Sequence, residues 1–182
     1  MMNLFVDTTG KFLVVAIFDK NFILIDSKIS EIKNKADILP DFLGKILLKN
    51  KLEITEFTNF FINLGPGSFT GCRIGLTFFR TIAQLNKKKI WTCSTFNLLS
   101  FKILENKQYF IDYSEKSQFS AFAQNGKITS KIFEIKKKTE KASQVNYNLI
   151  FLNFDKAKKL FKKEVDLINI FPLYIHKIKE KY

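Results

Sequence analysis

Arginine is almost missing from this chain: of 30 Lys and Arg residues, only Arg73 and Arg80 are arginines. Histidine is rarer still, with His176 alone. A site built from several histidine ligands is thereby excluded. The planar, bidentate guanidinium that phosphate and base readers favour is available at two positions only. Two cysteines, Cys72 and Cys93, are not spaced as CxxC, which argues against a disulfide framework or a zinc cluster and points to a reducing compartment. They read as small buried hydrophobes. Long apolar runs are also missing, since the longest, Phe12 to Phe18, falls far short of the roughly 20 residues that span a bilayer. The opening MMNLFVDTTG has no cationic stretch before its apolar run and no small-residue cleavage pattern, so the expectation is a cytoplasmic protein. Glycine is sparse, seven residues in all, and four of them fall between Gly65 and Gly75.

What is present in quantity is apolar residues, at 46%, and lysine, giving a formal net charge of +13. The first is ample for a buried core. The second has two readings. Clustered cations neutralise phosphates and release counterions. An AT-rich coding bias also enriches Lys, Phe, Ile and Asn together, without any nucleic-acid face. Lys136-Lys137-Lys138 and the run Lys158 to Lys163 are ordinarily solvated faces, and they are the first places to look for RNA contact.

The hydrophobic pattern gives an α/β chain. A short strand, Asn3 to Val6, ends in the turn Asp7-Thr8-Thr9-Gly10. Phe12 to Phe18 and Phe22 to Ile25 flank Asp19-Lys20-Asn21 as a hairpin. From Asp37, Leu39, Phe42, Leu43, Ile46 and Leu47 fall on one helical stripe, with Pro40 tolerated in the first turn. Phe60 to Leu64 reads as a strand buried on both faces. A helix follows from about Ser68 to Leu85, then a strand at Ile90 to Cys93 and a helix capped by Ser94 or Thr95. Past Lys107 the pattern restarts: Tyr109 to Ile111 ends at Asp112 as Leu4 to Val6 ends at Asp7. Phe119 to Ala123 and Ile128 to Ile135 flank the hairpin signal Asn125-Gly126. A third strand is expected at Leu149 to Leu152, then a lysine-rich helix from Asp155, with Pro172-Leu173-Tyr174-Ile175 extended and packing back on the body. The echo reads as a duplicated unit, residues 1–104 and a shorter 105–182.

The chemistry-bearing stretch is GPGSFTGCRIG. Gly65 and Gly67 permit close backbone approach, Pro66 stiffens the turn, and Ser68 or Thr70 caps the helix. Amides there suit an anion, so Asp7, Thr8, Thr9, Gly65, Gly67, Ser68 and Thr70 form a candidate anion or nucleotide site. The stretch matches neither the P-loop nor the GxGxxG fingerprint. Gly67, Gly71 and Gly75 share one helix face and predict close packing, against the chain's own sheet or against a second protein. Arg73, Thr77, Arg80 and Gln84 make a polar stripe beside the apolar Ile74 and Phe78. His176 has no nucleophile placed beside it and reads as a surface or packing residue. No catalytic residue, metal site or cofactor is indicated.

FVDTT, ILP, NLGPGSFTGCRIG, the Ser-Thr opening of the third helix, YFID and PLYIH together resemble the TsaB (YeaZ) family. The likeness is clear over roughly residues 3–104 and scattered beyond. It implies two RNase H-like lobes of the actin, sugar kinase and Hsp70 kind, the second reduced in length. It also implies a non-catalytic part in making threonylcarbamoyladenosine at position 37 of tRNA. A TsaD-type paralogue transfers the group, a TsaE-type ATPase supports turnover, and tRNA is met through the complex. The family's heterodimer uses the first two helices of the first lobe, which here implies an interface of Leu39, Phe42, Leu43, Ile46, Gly71, Arg73, Ile74, Gly75, Thr77, Phe78 and Arg80. A homodimer through the same helices is plausible on symmetry grounds. Asn34-Lys35-Ala36-Asp37 stands where many members carry a histidine-containing turn. The alternative is a nucleotide-binding or hydrolysing enzyme of the same fold.

Overall fold

The computed structural model describes residues 1–136 and 141–173. Its main body is a six-stranded sheet. β1 (Met2–Asp7), β2 (Phe12–Phe18) and β3 (Leu24–Glu31) form an antiparallel meander. β4 (Phe57–Asn63) joins the free side of β1 in parallel, and β5 (Lys89–Cys93) follows parallel to β4. The order β3-β2-β1-β4-β5 with these directions is the RNase H-like sheet. A short β10 (Lys162–Lys163) closes the edge antiparallel to β5.

β1, β2 and β4 are buried almost end to end because both faces of the sheet are covered. On one face lie α1 (Lys35–Lys49) and α2 (Phe69–Asn86). The predicted stripe Leu39, Phe42, Leu43, Ile46 and Leu47 packs there with Leu76, Phe79 and Ala83 against Leu4, Val6, Leu13, Val15, Ile17, Phe60 and Ile62. The opposite face is aromatic. Phe18 stacks on Phe154 with ring centres 4.0 Å apart, and Phe5 meets Phe151 and Phe161 edge-on. Such pairs add ~0.5–1.5 kcal/mol each beyond their buried area.

Those aromatic partners correct two expectations. Leu149 to Leu152 is not a strand but the end of helix α4 (Tyr147–Phe151), because Asn146 caps it by accepting the Leu149 N–H at 3.0 Å. Helical spacing then aims Ile150, Phe151 and Phe154 at one sheet face. The helix from Asp155 is one turn, α5 (Phe154–Ala157), followed by a 3-10 turn and β10. Residues 147–163 therefore complete the first sheet, although they follow the second in sequence.

The second sheet is smaller. β6 (Lys107–Asp112) and β7 (Ser117–Gln124) pair antiparallel, and β8 (Lys127–Ile128) returns through the Asn125-Gly126 turn. β9 (Phe133–Lys136) pairs with the other end of β7, so the expected strand Ile128 to Ile135 is broken in two. Phe96 and Leu99, from α3 (Thr95–Leu99), pack on this sheet with Tyr109, Ile111 and Phe119. Pro172 is buried, and the Leu173 N–H donates to the Leu64 carbonyl at 3.0 Å, so the returning segment does pack back on the body. Tyr174, Ile175, His176, Lys137 and Lys138 lie outside the described residues.

Candidate functional site

The end of β1 and the loop after β4 meet where the sequence places its candidate anion site. Asp7, Thr8 and Thr9 are buried. The Asp7 carboxylate accepts four hydrogen bonds: from the Thr9 N–H and hydroxyl at 2.8 Å each, from Asn63 Nδ2 at 2.7 Å and from the Tyr147 hydroxyl at 2.9 Å. A carboxylate offers about four lone-pair sites, so every one is filled from within the chain. Asn63 is itself fixed, its amide oxygen accepting from the Gly65 N–H at 2.9 Å. Burial, then the charge and hydrogen bond of Asp7, push the Tyr147 phenol well above its ordinary range.

The same turn fills the predicted glycine groove. A Cβ on Gly67 would stand 2.5 Å from the Thr9 carbonyl oxygen, one on Gly71 2.3 Å from that of Thr8, and one on Gly75 2.6 Å from Thr8 Oγ1. The Thr8 hydroxyl donates to the Gly71 carbonyl at 2.6 Å and accepts from the Gly75 N–H at 3.1 Å. Gly71 and Gly75 thus let α2, and Gly67 the turn before it, lie directly against Thr8 and Thr9. Lys35 holds the turn from the other side, donating to the Thr8 carbonyl at 3.0 Å and to that of Gly10. Burial lowers the Lys35 ammonium below its usual range, with the charge of Asp7 opposing.

At the start of α2, the Ser68 N–H donates to the Thr9 carbonyl at 2.8 Å and Ser68 Oγ accepts from Gly71. Gly65 holds φ +100°, with a cis bond to Pro66. Of the seven candidate anion residues, only Ser68 and Thr70 are exposed. Ser68, Thr9 and Gly67 line a cleft of about 450 Å³ between the two sheets, with Lys11 on one wall and Asp112, Ser114 and Glu115 on the other. Two carboxylates and one cation make poor surroundings for a polyphosphate. Among the described residues, no group of three or more His, Cys, Asp or Glu is placed to hold a metal ion.

The implied interface residues divide sharply. Leu39, Phe42, Leu43, Ile46, Gly71 and Gly75 are buried within the chain, in contact with its own sheet and turn, and of these six only Leu39 also lines the groove between α1 and α2. Arg80 is also engaged internally, Nη1 donating to the Ile168 and Ile170 carbonyls at 3.3 Å each and pinning the returning segment across α2. Thr77 and Arg73 are exposed, while Ile74 and Phe78 are half-buried. These four, with Ala36, Thr70 and the floor residue Leu39, line an open groove of about 350 Å³ between α1 and α2. Arg73 lies 4.0 Å above the Phe69 ring, and Phe69 and Ile38 are exposed, at 44% and 39%.

Sequence reasoning missed Tyr147, Asn63 and Lys35. Asn63 had a readable signal, a polar residue closing an apolar strand as Asp7 does. Tyr147 lies 140 positions from Asp7 and had none.

No family model matches the chain. It is 30% identical over 102 residues to the uncharacterized protein MG208 homolog of Mycoplasma pneumoniae, covering 55% of this chain and 50% of that protein. It is 34% identical over 73 residues to the uncharacterized protein MG208 of Mycoplasma genitalium, covering 39% of this chain and 37% of that one. The match thus spans half or less of the length of these relatives. Among solved structures, YeaZ from Pseudomonas aeruginosa superposes with a TM-score of 0.69 at 15% identity, over 96% of this chain and 100% of that one. A protein described as similar to peptidase YeaZ, from the same organism, superposes at 0.70 and 16%, over 96% and 99%. The chain has the fold of the YeaZ (TsaB) proteins.

Proposed function

We propose that this chain is a non-catalytic, YeaZ (TsaB)-type subunit of the machinery that makes threonylcarbamoyladenosine at position 37 of tRNA. It pairs with a TsaD-type transferase and works with a TsaE-type ATPase. The observation that carries the reading is the division of labour at the end of β1. The carboxylate that a hydrolase of this fold would aim at a metal-bound phosphate is filled by four internal donors, one of them Tyr147. Away from that carboxylate, the chain also presents an open apolar groove between α1 and α2. Ile74 and Phe78, bordered by Arg73 and Thr77, have the apolar centre and polar rim of a protein-binding patch. No described helix is long and apolar enough to cross a membrane, which fits work on tRNA in the cytoplasm.

The test is reconstitution. With TsaD-type and TsaE-type proteins of the same organism, the threonylcarbamoyl donor and unmodified tRNA, modification should require this chain. Multiple-turnover modification that runs equally well without it would sink the proposal.

A further inference from the structure

The pairing of β10 with β5 joins two lysine-rich segments some seventy residues apart. Lys87, Lys88 and Lys89 lead into β5, and Lys156, Lys158, Lys159, Lys162 and Lys163 run from α5 into β10. Lys163 is in register with Trp91, and Lys162 with Thr92. Side chains two apart on a strand share a face, so Lys89 and Lys163 stand on the same face as the half-buried indole of Trp91. That indole stacks on Phe61 and donates to Asn59 at 3.0 Å.

The two segments carry eight lysines, of which Lys88 already donates to the Thr55 carbonyl and Lys158 lies 3.6 Å over the Phe22 ring, against Asp155 and Glu164 as their acidic residues. The whole chain carries 30 cations to 17 acids, so a uniform coding bias does not account for the local excess. Lysines guarding a sheet edge against another strand account for the two on β10. They do not account for Lys87 and Lys88 before β5 and Lys89 at its start. Glu164 is also turned inward, accepting from the Thr92 hydroxyl while its N–H donates to the Ile90 carbonyl at 2.9 Å.

We infer that the β5–β10 edge binds the phosphate backbone of a folded RNA directly. Resting on the tRNA-linked reading above, this makes the chain a second tRNA contact in the complex. The lysines act as point charges releasing counterions. With Arg73 and Arg80 both lying elsewhere on α2, the edge holds RNA without reading its sequence.

The test measures binding of the full chain to unmodified tRNA transcript by fluorescence anisotropy across potassium chloride concentrations. The wild type should lose affinity steadily as salt rises. The combined variant Lys89→Gln, Lys159→Gln, Lys162→Gln, Lys163→Gln should bind at least about tenfold more weakly at low salt. Its log–log salt slope should be shallower by roughly 3, close to one for each phosphate that is no longer neutralised. A control variant, Lys20→Gln, Lys51→Gln, Lys116→Gln, Lys131→Gln, should bind as wild type. Circular dichroism establishes that both variants fold. No shift by the wild type, or equal losses in both variants, would overturn the inference. Co-elution of the edge variant with the TsaD-type protein is read separately. Intact pairing with weakened RNA binding supports the edge, whereas a wild type that fails to pair overturns the scaffold reading alone.

Discussion

Replacing Gly71 with alanine separates a self-packed α2 from one whose glycines wait for a partner. The new Cβ would stand 2.3 Å from the Thr8 carbonyl oxygen, roughly 1 Å short of van der Waals contact. The obstacle is backbone in a turn pinned by Lys35 and by the Asp7 network, so it cannot swing aside as a side chain would. Overpacking of this kind costs ~1–3 kcal/mol. Moving α2 outward also stretches the bonds from Thr8 Oγ1 to Gly71 and from Gly75 to Thr8 Oγ1, about 1 kcal/mol each. Against this, alanine gains ~1 kcal/mol of helix propensity. The net loss is about 2–4 kcal/mol, which for a chain of this size lowers Tm by roughly 4–16 °C. Gly44, inside α1, is the control, because nothing lies within 4 Å of its Cβ position. Gly44→Ala should raise Tm by about 1–4 °C. Thermal unfolding followed by circular dichroism reads both. A Gly71→Ala protein as stable as wild type, or stabilised like Gly44→Ala, would refute the packing argument.

Tyr147→Phe removes one donor from a charged acceptor and should cost about 1.5–3 kcal/mol near neutral pH by urea unfolding. Its pH dependence has a definite sign. The folded phenol is raised, so above pH ~10 the unfolded chain gives up a proton that the folded chain keeps, and wild-type stability falls as pH rises. Tyr147→Phe should flatten that fall, and an unchanged alkaline slope would count against the buried Asp7 contact. Burial pushes the Cys72 thiol up to about 12 and that of Cys93 well above its ordinary range. Both should therefore resist a disulfide reagent at pH 8 until the chain unfolds, and rapid labelling of the folded chain would contradict this. Arg80→Ala should release the returning segment. The Leu173 amide should exchange hydrogen roughly 5–30-fold faster, as expected for a loss of about 1–2 kcal/mol, while Val15 in the core holds its protection.

Much of the first sheet was legible because its signals are local. The run Phe12 to Phe18, the helical stripe from Leu39 to Leu47 and the Ser68 cap each depend on near neighbours in sequence, and each forms as the pattern predicts. The segment after residue 140 departs from its local pattern because long-range packing overrides local preference there. Leu149 to Leu152 is apolar enough for a strand, yet the aromatic face of the first sheet selects the helix. The glycine stripe predicted close approach correctly and left its partner open, since spacing cannot distinguish the Thr8-Thr9 turn from another protein. Arg80 showed the same limit, its acceptors lying on residues 168 and 170.

The central claim, that the α1–α2 groove receives a TsaD-type protein, is tested most directly by size-exclusion co-elution and titration calorimetry with that protein. The variant is Phe78→Glu, which charges the groove without entering the Asp7 network. Wild type should form a stable complex, and Phe78→Glu should bind about 30-fold more weakly or not at all, as for a hot-spot loss of ~2 kcal/mol. Because half-buried Phe78 also meets the buried Phe79 ring edge-on at 5.1 Å, its unfolding temperature should fall by a few degrees with the fold retained by circular dichroism. Equal binding by both proteins, or none by the wild type, would contradict the account.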